Sequence, residues 1–294
     1  MKKIILLGSS ASCVAAIEAL QSVDNSLEIT LISQEAFLPY QRSLLPDYIA
    51  KKVSLAQTLC KPKSFYEKAK VNVQLDKNLA RINFRKGVVV TEEKEQFEFE
   101  GLLLADVGEY KLPDIRGVNK FGVWNVNSLT DAEQILNRLT FCETVIIQAT
   151  GINGLLTAQA IKSRGKEVTV IVKLELSEST PPIFKSLEES GVVLLTNDIV
   201  EILGDSEAKA VRLDSRKVIA GDLILFDDLK PNLKIFADSP LEAGESIQVN
   251  EAFHTNLENV FAADQVIKQS GLAPFEQGKA VAQAMLNQNT AVVP

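Results

Sequence analysis

Histidine and tryptophan occur once each in the 294 residues, as His254 and Trp124. A lone imidazole excludes a histidine-rich metal centre. Its setting, Phe253-His254-Thr255 ahead of an apolar run, gives a surface role rather than a Ser–His–Asp triad. Cysteine is nearly as scarce. Cys13, Cys60 and Cys142 are far apart and form no C-x-x-C pair, which excludes a local redox dithiol and an obvious zinc or iron–sulfur ligand set. They are expected as structural thiols in a reducing, cytoplasmic setting. No basic block appears, and a formal charge of -7 with pI near 5.1 excludes a nucleic-acid partner. Long apolar runs are missing too: Ile4–Leu7 is only four residues long before Gly8, too short for a signal peptide, and nothing later reaches the length of a membrane span. Hydrophobic residues at 46% and charged residues at 23% are ordinary for a soluble globular protein, and the length predicts two domains.

What is present is a repeated strand–turn–helix–strand pattern. Ile4–Leu7, the turn from Gly8 to Cys13, the amphipathic segment Val14–Gln21 and the apolar run Ile29–Ser33 form the βαβ unit that seats a dinucleotide diphosphate on a helix N-terminus. The three glycine places of that turn serve the sharp bend, the close approach of backbone to phosphate, and helix–strand packing; they hold Gly8, Ser10 and Cys13. The echo comes at Thr144–Ile147, with a turn from Gln148 to Gly154, a helix over Leu155–Arg164 and a strand over Glu167–Val172. Here Ala149 takes the first glycine place, and Gly151 and Gly154 keep the other two. Between the repeats, Val71–Leu75, Ala80–Phe84, Gly87–Thr91 and Gln96–Phe99 read as a meander of short strands, followed by a buried-type strand at Leu102–Ala105. Strands are also expected at Val192–Leu195, Asp222–Phe226 and Asn259–Ala263, and a last helix over Phe275–Asn287.

Four stretches carry a family resemblance: Glu35-x-x-x-Pro39-Tyr40-x-Arg42, Leu112-Pro113-Asp114-Ile115-x-Gly117, Gly151-x-x-Gly154-Leu155 with Arg164–Val170, and Gln277-Gly278-Lys279-Ala280-Val281-Ala282. In this order the chain resembles the FAD-dependent pyridine-nucleotide disulfide oxidoreductases, in the branch of NADH:rubredoxin reductases, NADH oxidases and nitrite reductase flavin domains. The resemblance implies an α/β protein with two Rossmann-like FAD/NAD(P)-binding domains of the three-layer ββα type, the second inserted into the first. It places residues 1–111 and 235–294 in the FAD-type domain and 112–234 in the NAD(P)-type domain. The C-terminal interface domain of many relatives is not in the chain, which leads us to expect association with another protein. The resemblance further implies FAD held by Gly8, Ser10, Glu35, Arg42 and Asp264, NAD(P)H at Gly151 and Gly154, an electron-carrier or other protein partner, and no catalytic side chain or metal ligand, because the flavin does the chemistry.

Departures from the family pattern fall where ligands sit. Asp106-Val107 stands where the family has Thr-Gly, and Asp228 replaces a glycine ahead of Lys230-Pro231-Asn232. Asp264 follows Ala263, which takes a glycine's place. Leu156 replaces a glutamate, and Val172 the acidic residue expected on the NAD ribose. Lys173, next in the chain, suits either a 2′-phosphate or a solvated strand end. Two readings therefore stand side by side: an FAD-dependent NAD(P)H oxidoreductase passing electrons to an acceptor, and a non-catalytic relative serving as a subunit or assembly partner.

Overall fold

The computed structural model describes residues 2–107, 110–172, 182–228, 231, 233–268 and 270–290. Lys173, Lys230 and Asn232, singled out above, lie outside the described residues. In chain order the elements are β1 (Lys3–Leu7), α1 (Ala11–Val23), β2 (Glu28–Ile32), α2 (Leu45–Ile49), α3 (Leu55–Thr58), α4 (Lys63–Lys68), β3 (Asn72–Gln74), β4 (Leu79–Asn83), β5 (Val88–Thr91), β6 (Gln96–Glu98) and β7 (Gly101–Leu104). They continue with β8 (Val123–Asn125), α5 (Leu129–Arg138), β9 (Thr144–Ala149), α6 (Ile152–Ser163), β10 (Glu167–Val172), α7 (Pro182–Glu189) and β11 (Val193–Leu195). The last are β12 (Ile199–Leu203), β13 (Ala210–Leu213), β14 (Val218–Ala220), β15 (Leu223–Phe226), β16 (Val260–Ala262) and α8 (Pro274–Thr290).

Two compact units result, the first from residues 1–41, 59–109 and 230–294, the second from 42–58 and 110–229. Each is an α/β Rossmann-like unit, and the second interrupts the first in sequence. The first unit is built on a parallel sheet in the order β16-β7-β1-β2-β3. Its strands β1 and β7 are apolar without alternation, as burial on both faces requires; Leu6 and Leu103 are fully buried. On one face α1 offers Cys13, Val14, Ile17 and Leu20 at helical spacing, and α8, with Val281 and Met285 buried, packs against α1 at Gly278. Gly278 is what lets them meet, because a Cβ there would lie 2.0 Å from Ser12 O and 2.9 Å from the Ala15 Cβ. A separate antiparallel sheet, β4-β5-β6, supplies the third layer.

The second unit repeats the plan with a parallel sheet in the order β11-β10-β9-β15-β8 and an antiparallel sheet, β12-β13-β14. Its α5 starts at a capping box in which Ser128 and Asp131 exchange side-chain and backbone hydrogen bonds. Short α2 packs on α5 and α6, and Arg164 Nη1 donates to Ile49 O at 3.1 Å to hold the end of α6 on it.

Three features differ from the sequence reading. Segment 42–58, placed there in the first domain, belongs to the second unit. The run at 71–75 is not part of a meander: β3 adds to β2 as a parallel edge strand, with Val73 opposite Leu31. The sheet β12-β13-β14 was not foreseen, nor was edge strand β8. These strands are short, and the polar turns among them break the alternation that would reveal them.

Candidate functional site

The turn between β1 and α1 is shaped by Gly8. Its φ of +126° is open only to glycine, and an added Cβ would sit 2.5 Å from Asp106 N and 2.7 Å from Asp106 Cβ. Asp106 follows β7, the strand beside β1, so the residue that departs from the family pattern packs directly on the turn. Ser10 is the N-cap of α1, but its hydroxyl makes no cap hydrogen bond. It pairs instead with Ser12 Oγ at 2.8 Å and donates to Cys13 Sγ at 3.8 Å. No acidic residue lies in the first turn of α1. The Ser10 hydroxyl thus takes none of the backbone donors at this helix N-terminus, the kind of donors that hold an anionic group.

Asp264 stands beside it. Its backbone has φ +61°, its N–H donates to Gln277 Oε1 at 2.7 Å, and its carboxylate accepts from Ser12 Oγ at 3.3 Å and Gln265 Nε2 at 3.0 Å. The hydroxyls of Ser10 and Ser12 therefore lead from the turn to Asp264. Past the end of β2, Glu35 is oriented by Tyr40, whose hydroxyl donates to Glu35 Oε1 at 2.8 Å and reaches Oε2 at 3.1 Å. A carboxylate fixed at that strand end can accept from ribose hydroxyls.

Cys13 is fully buried in the first turn of α1. Burial pushes its thiol up to about 12; the hydrogen bond from Ser10 pulls down, and the nearby charge of Asp264 adds to the rise. The neutral thiol stabilises the fold fully below the ordinary thiol range, and that contribution is lost as pH climbs through 12. Iodoacetamide at pH near 8 is accordingly expected to leave Cys13 unmodified in folded protein and to label it once denaturant is added. Rapid labelling of native Cys13, mapped by peptide mass, would contradict this placement.

The turn between β9 and α6 is chemically different. Gly151 N–H donates to Asp227 Oδ2 at 3.0 Å and Gly154 N–H to the same oxygen at 2.8 Å, while Thr150 presents both its N–H and its hydroxyl to Asp227 Oδ1. A Cβ on Gly154 would lie 2.4 Å from Asp227 Oδ2. The two glycines read as nucleotide contacts are thus wrapped around a carboxylate of the protein itself. Asp227 is buried. Desolvation pushes its carboxyl above the usual range, while the donors from Thr150, Gly151 and Gly154 act the other way. The sequence reading missed it. The one signal was its position directly after the apolar run Leu223–Phe226, where a parallel strand ends beside the turn of its neighbour.

The predicted residues are not gathered into one group. Gly8, Ser10, Glu35 and Asp264 belong to the first unit, Gly151 and Gly154 to the second. Arg42 also belongs to the second, where its guanidinium donates to Asn127 O and lies 5.0 Å over the Tyr110 ring. Phe121 and Trp124 pack edge to face at 5.5 Å, and His254 rests against Phe261 at 4.5 Å. Among the described residues no cluster of metal-ligating side chains occurs, and no helix is long and apolar enough to cross a membrane.

Comparison with known proteins bears on both turns. Residues 2–285 match the family model described as pyridine nucleotide-disulphide oxidoreductase. The assimilatory nitrate reductase electron transfer subunit of Bacillus subtilis (strain 168) is 23% identical over 297 residues, covering 96% of this chain and 38% of the relative. The NADH-rubredoxin oxidoreductase of Clostridium acetobutylicum is 27% identical over 282 residues, covering 92% of this chain and 70% of the relative. A solved ferredoxin reductase from Rhodopseudomonas palustris superposes with a TM-score of 0.86 at 18% identity, over 97% of this chain and 76% of that one, a likeness of fold. Because one family model runs through both glycine turns and the sheets that carry them, the chain belongs to the pyridine nucleotide-disulphide oxidoreductase family.

Proposed function

We propose that the chain is an FAD-dependent oxidoreductase that takes reducing equivalents from NAD(P)H and delivers them to an acceptor, with an electron-carrier protein as the partner class. The observation that carries this reading is the first turn: Gly8 in a glycine-only conformation, and an N-cap residue, Ser10, whose hydroxyl takes none of the α1 backbone donors, in a chain of this family. The residues there suit a dinucleotide flavin. The donors of α1 would face its diphosphate, Glu35 its ribose, and Asp264, held by Ser12, Gln265 and Gln277, its ribityl chain. Bound there, the flavin supplies hydride and electron chemistry, and the protein's part is to orient it and exclude water. Arg42, held by Asn127 and Tyr110, is assigned to the packing of the second unit. Relatives named for NADH, rubredoxin and ferredoxin weigh against the non-catalytic reading.

The test is the visible spectrum of protein purified without added cofactor, followed by titration with FAD and then with NADH and NADPH. Flavin bands, or saturable uptake, with bleaching by one nicotinamide nucleotide are expected. A colourless protein that takes up no FAD would overturn the proposal.

A further inference from the structure

The two glycine turns contrast in one respect. At the first, the N-cap hydroxyl of Ser10 makes no cap hydrogen bond; at the second, one carboxylate accepts from three backbone N–H groups and a hydroxyl, the donor set that a turn of this kind otherwise directs at a phosphate. Asp227 reaches it from the end of β15, which pairs with β9 so that Phe226 faces Gln148 and the next residue falls level with the turn. Every acceptor contact of Asp227 suits an ionised carboxylate, which accepts and does not donate. A second anion entering the same turn would lose those donors and meet a like charge at close range, within a poorly screened, buried setting.

We infer that Asp227 is a built-in competitor for the diphosphate of any nucleotide at the second unit, and so the residue that sets nucleotide affinity there. This rests on the proposed function only for the identity of that nucleotide as NAD(P)H. A nucleotide diphosphate binds in the turn once the carboxylate gives up Gly151 and Gly154. The glycines then serve two occupants in turn, the side chain and the diphosphate. A purely structural brace predicts the opposite response to substitution, since removing it would loosen the turn and weaken nucleotide binding.

The experiment is calorimetric titration of full-length protein saturated with FAD, using ADP as the probe and NADH and NADPH in parallel, on wild type, Asp227→Ala and Asp227→Asn. Retention of fold is checked by circular dichroism melting. Asp227→Ala removes both charge and volume, and an affinity gain of tenfold or more for ADP is expected. Asp227→Asn keeps the volume and loses the charge, so a smaller gain is expected; it also serves if the alanine variant does not fold. Folded variants that bind ADP no better than wild type, or more weakly, overturn the inference and make Asp227 a brace. Failure of the oxidoreductase reading is distinguishable: a gain in ADP affinity with no bleaching by either nicotinamide nucleotide supports the competitor role and counts against that reading. Bleaching of wild type with the same nucleotide affinity as both variants does the reverse.

Discussion

Gly8→Ala is expected to destabilise the first unit by roughly 3 kcal/mol or more and to abolish flavin uptake. Two terms add. A side chain held in a glycine-only region of backbone space costs on the order of 1–3 kcal/mol. Overpacking costs about as much again, since the new Cβ would come within 2.5 Å of Asp106 N, a backbone atom that cannot swing aside. Relief requires either the β1–α1 turn or the end of β7 to move, and both shape the proposed diphosphate seat. Chemical denaturation together with flavin content per chain checks this. A variant with wild-type stability and full flavin content would show that the turn is not constrained as described.

Gly278→Ala pits two effects against each other. Alanine in a helix interior is favoured over glycine by about 1 kcal/mol. Against that, the added methyl would meet Ser12 O at 2.0 Å and Ala15 Cβ at 2.9 Å, overpacking of the kind that costs about 1–3 kcal/mol. The contact wins because its nearest atom is backbone, so α1 and α8 must separate. A net loss of up to about 2 kcal/mol is expected from those two ranges, read as a lower midpoint in denaturant. Flavin affinity should fall with it, because Ser12 links the start of α1 to Asp264. An unchanged or raised midpoint would mean that the two helices are not in close contact at this glycine.

Much of the fold was legible from local pattern. Unbroken apolar runs such as Ile4–Leu7 and Val145–Ile147 announce strands buried on both faces, and each is followed by a glycine-bearing turn and a helix. Antiparallel pieces with little apolar content were harder. In β12-β13-β14 the buried residues are Ile199, Ile202, Val211 and Leu213, set among exposed and half-buried neighbours on strands of three to five residues. The misplacement of β3 has a related cause: at Val73 a three-residue edge strand carries the same signal whether its neighbour runs parallel or antiparallel.

For the site the division is sharper. By itself the sequence determined the two βαβ units, the place of the phosphate-type turns, the loss of glycine at Ser10 and Ala149, and the family to which these belong, because each is written within a dozen neighbouring residues. Only the tertiary structure decided which carboxylate meets which turn. Asp264 reaches Ser12 across 252 residues and Asp227 reaches Gly154 across 73, pairings set by strand order and register. The physical reason is that a buried acid is recognised by the donors around it, and those donors are brought together by the parallel sheets from segments far apart in the chain.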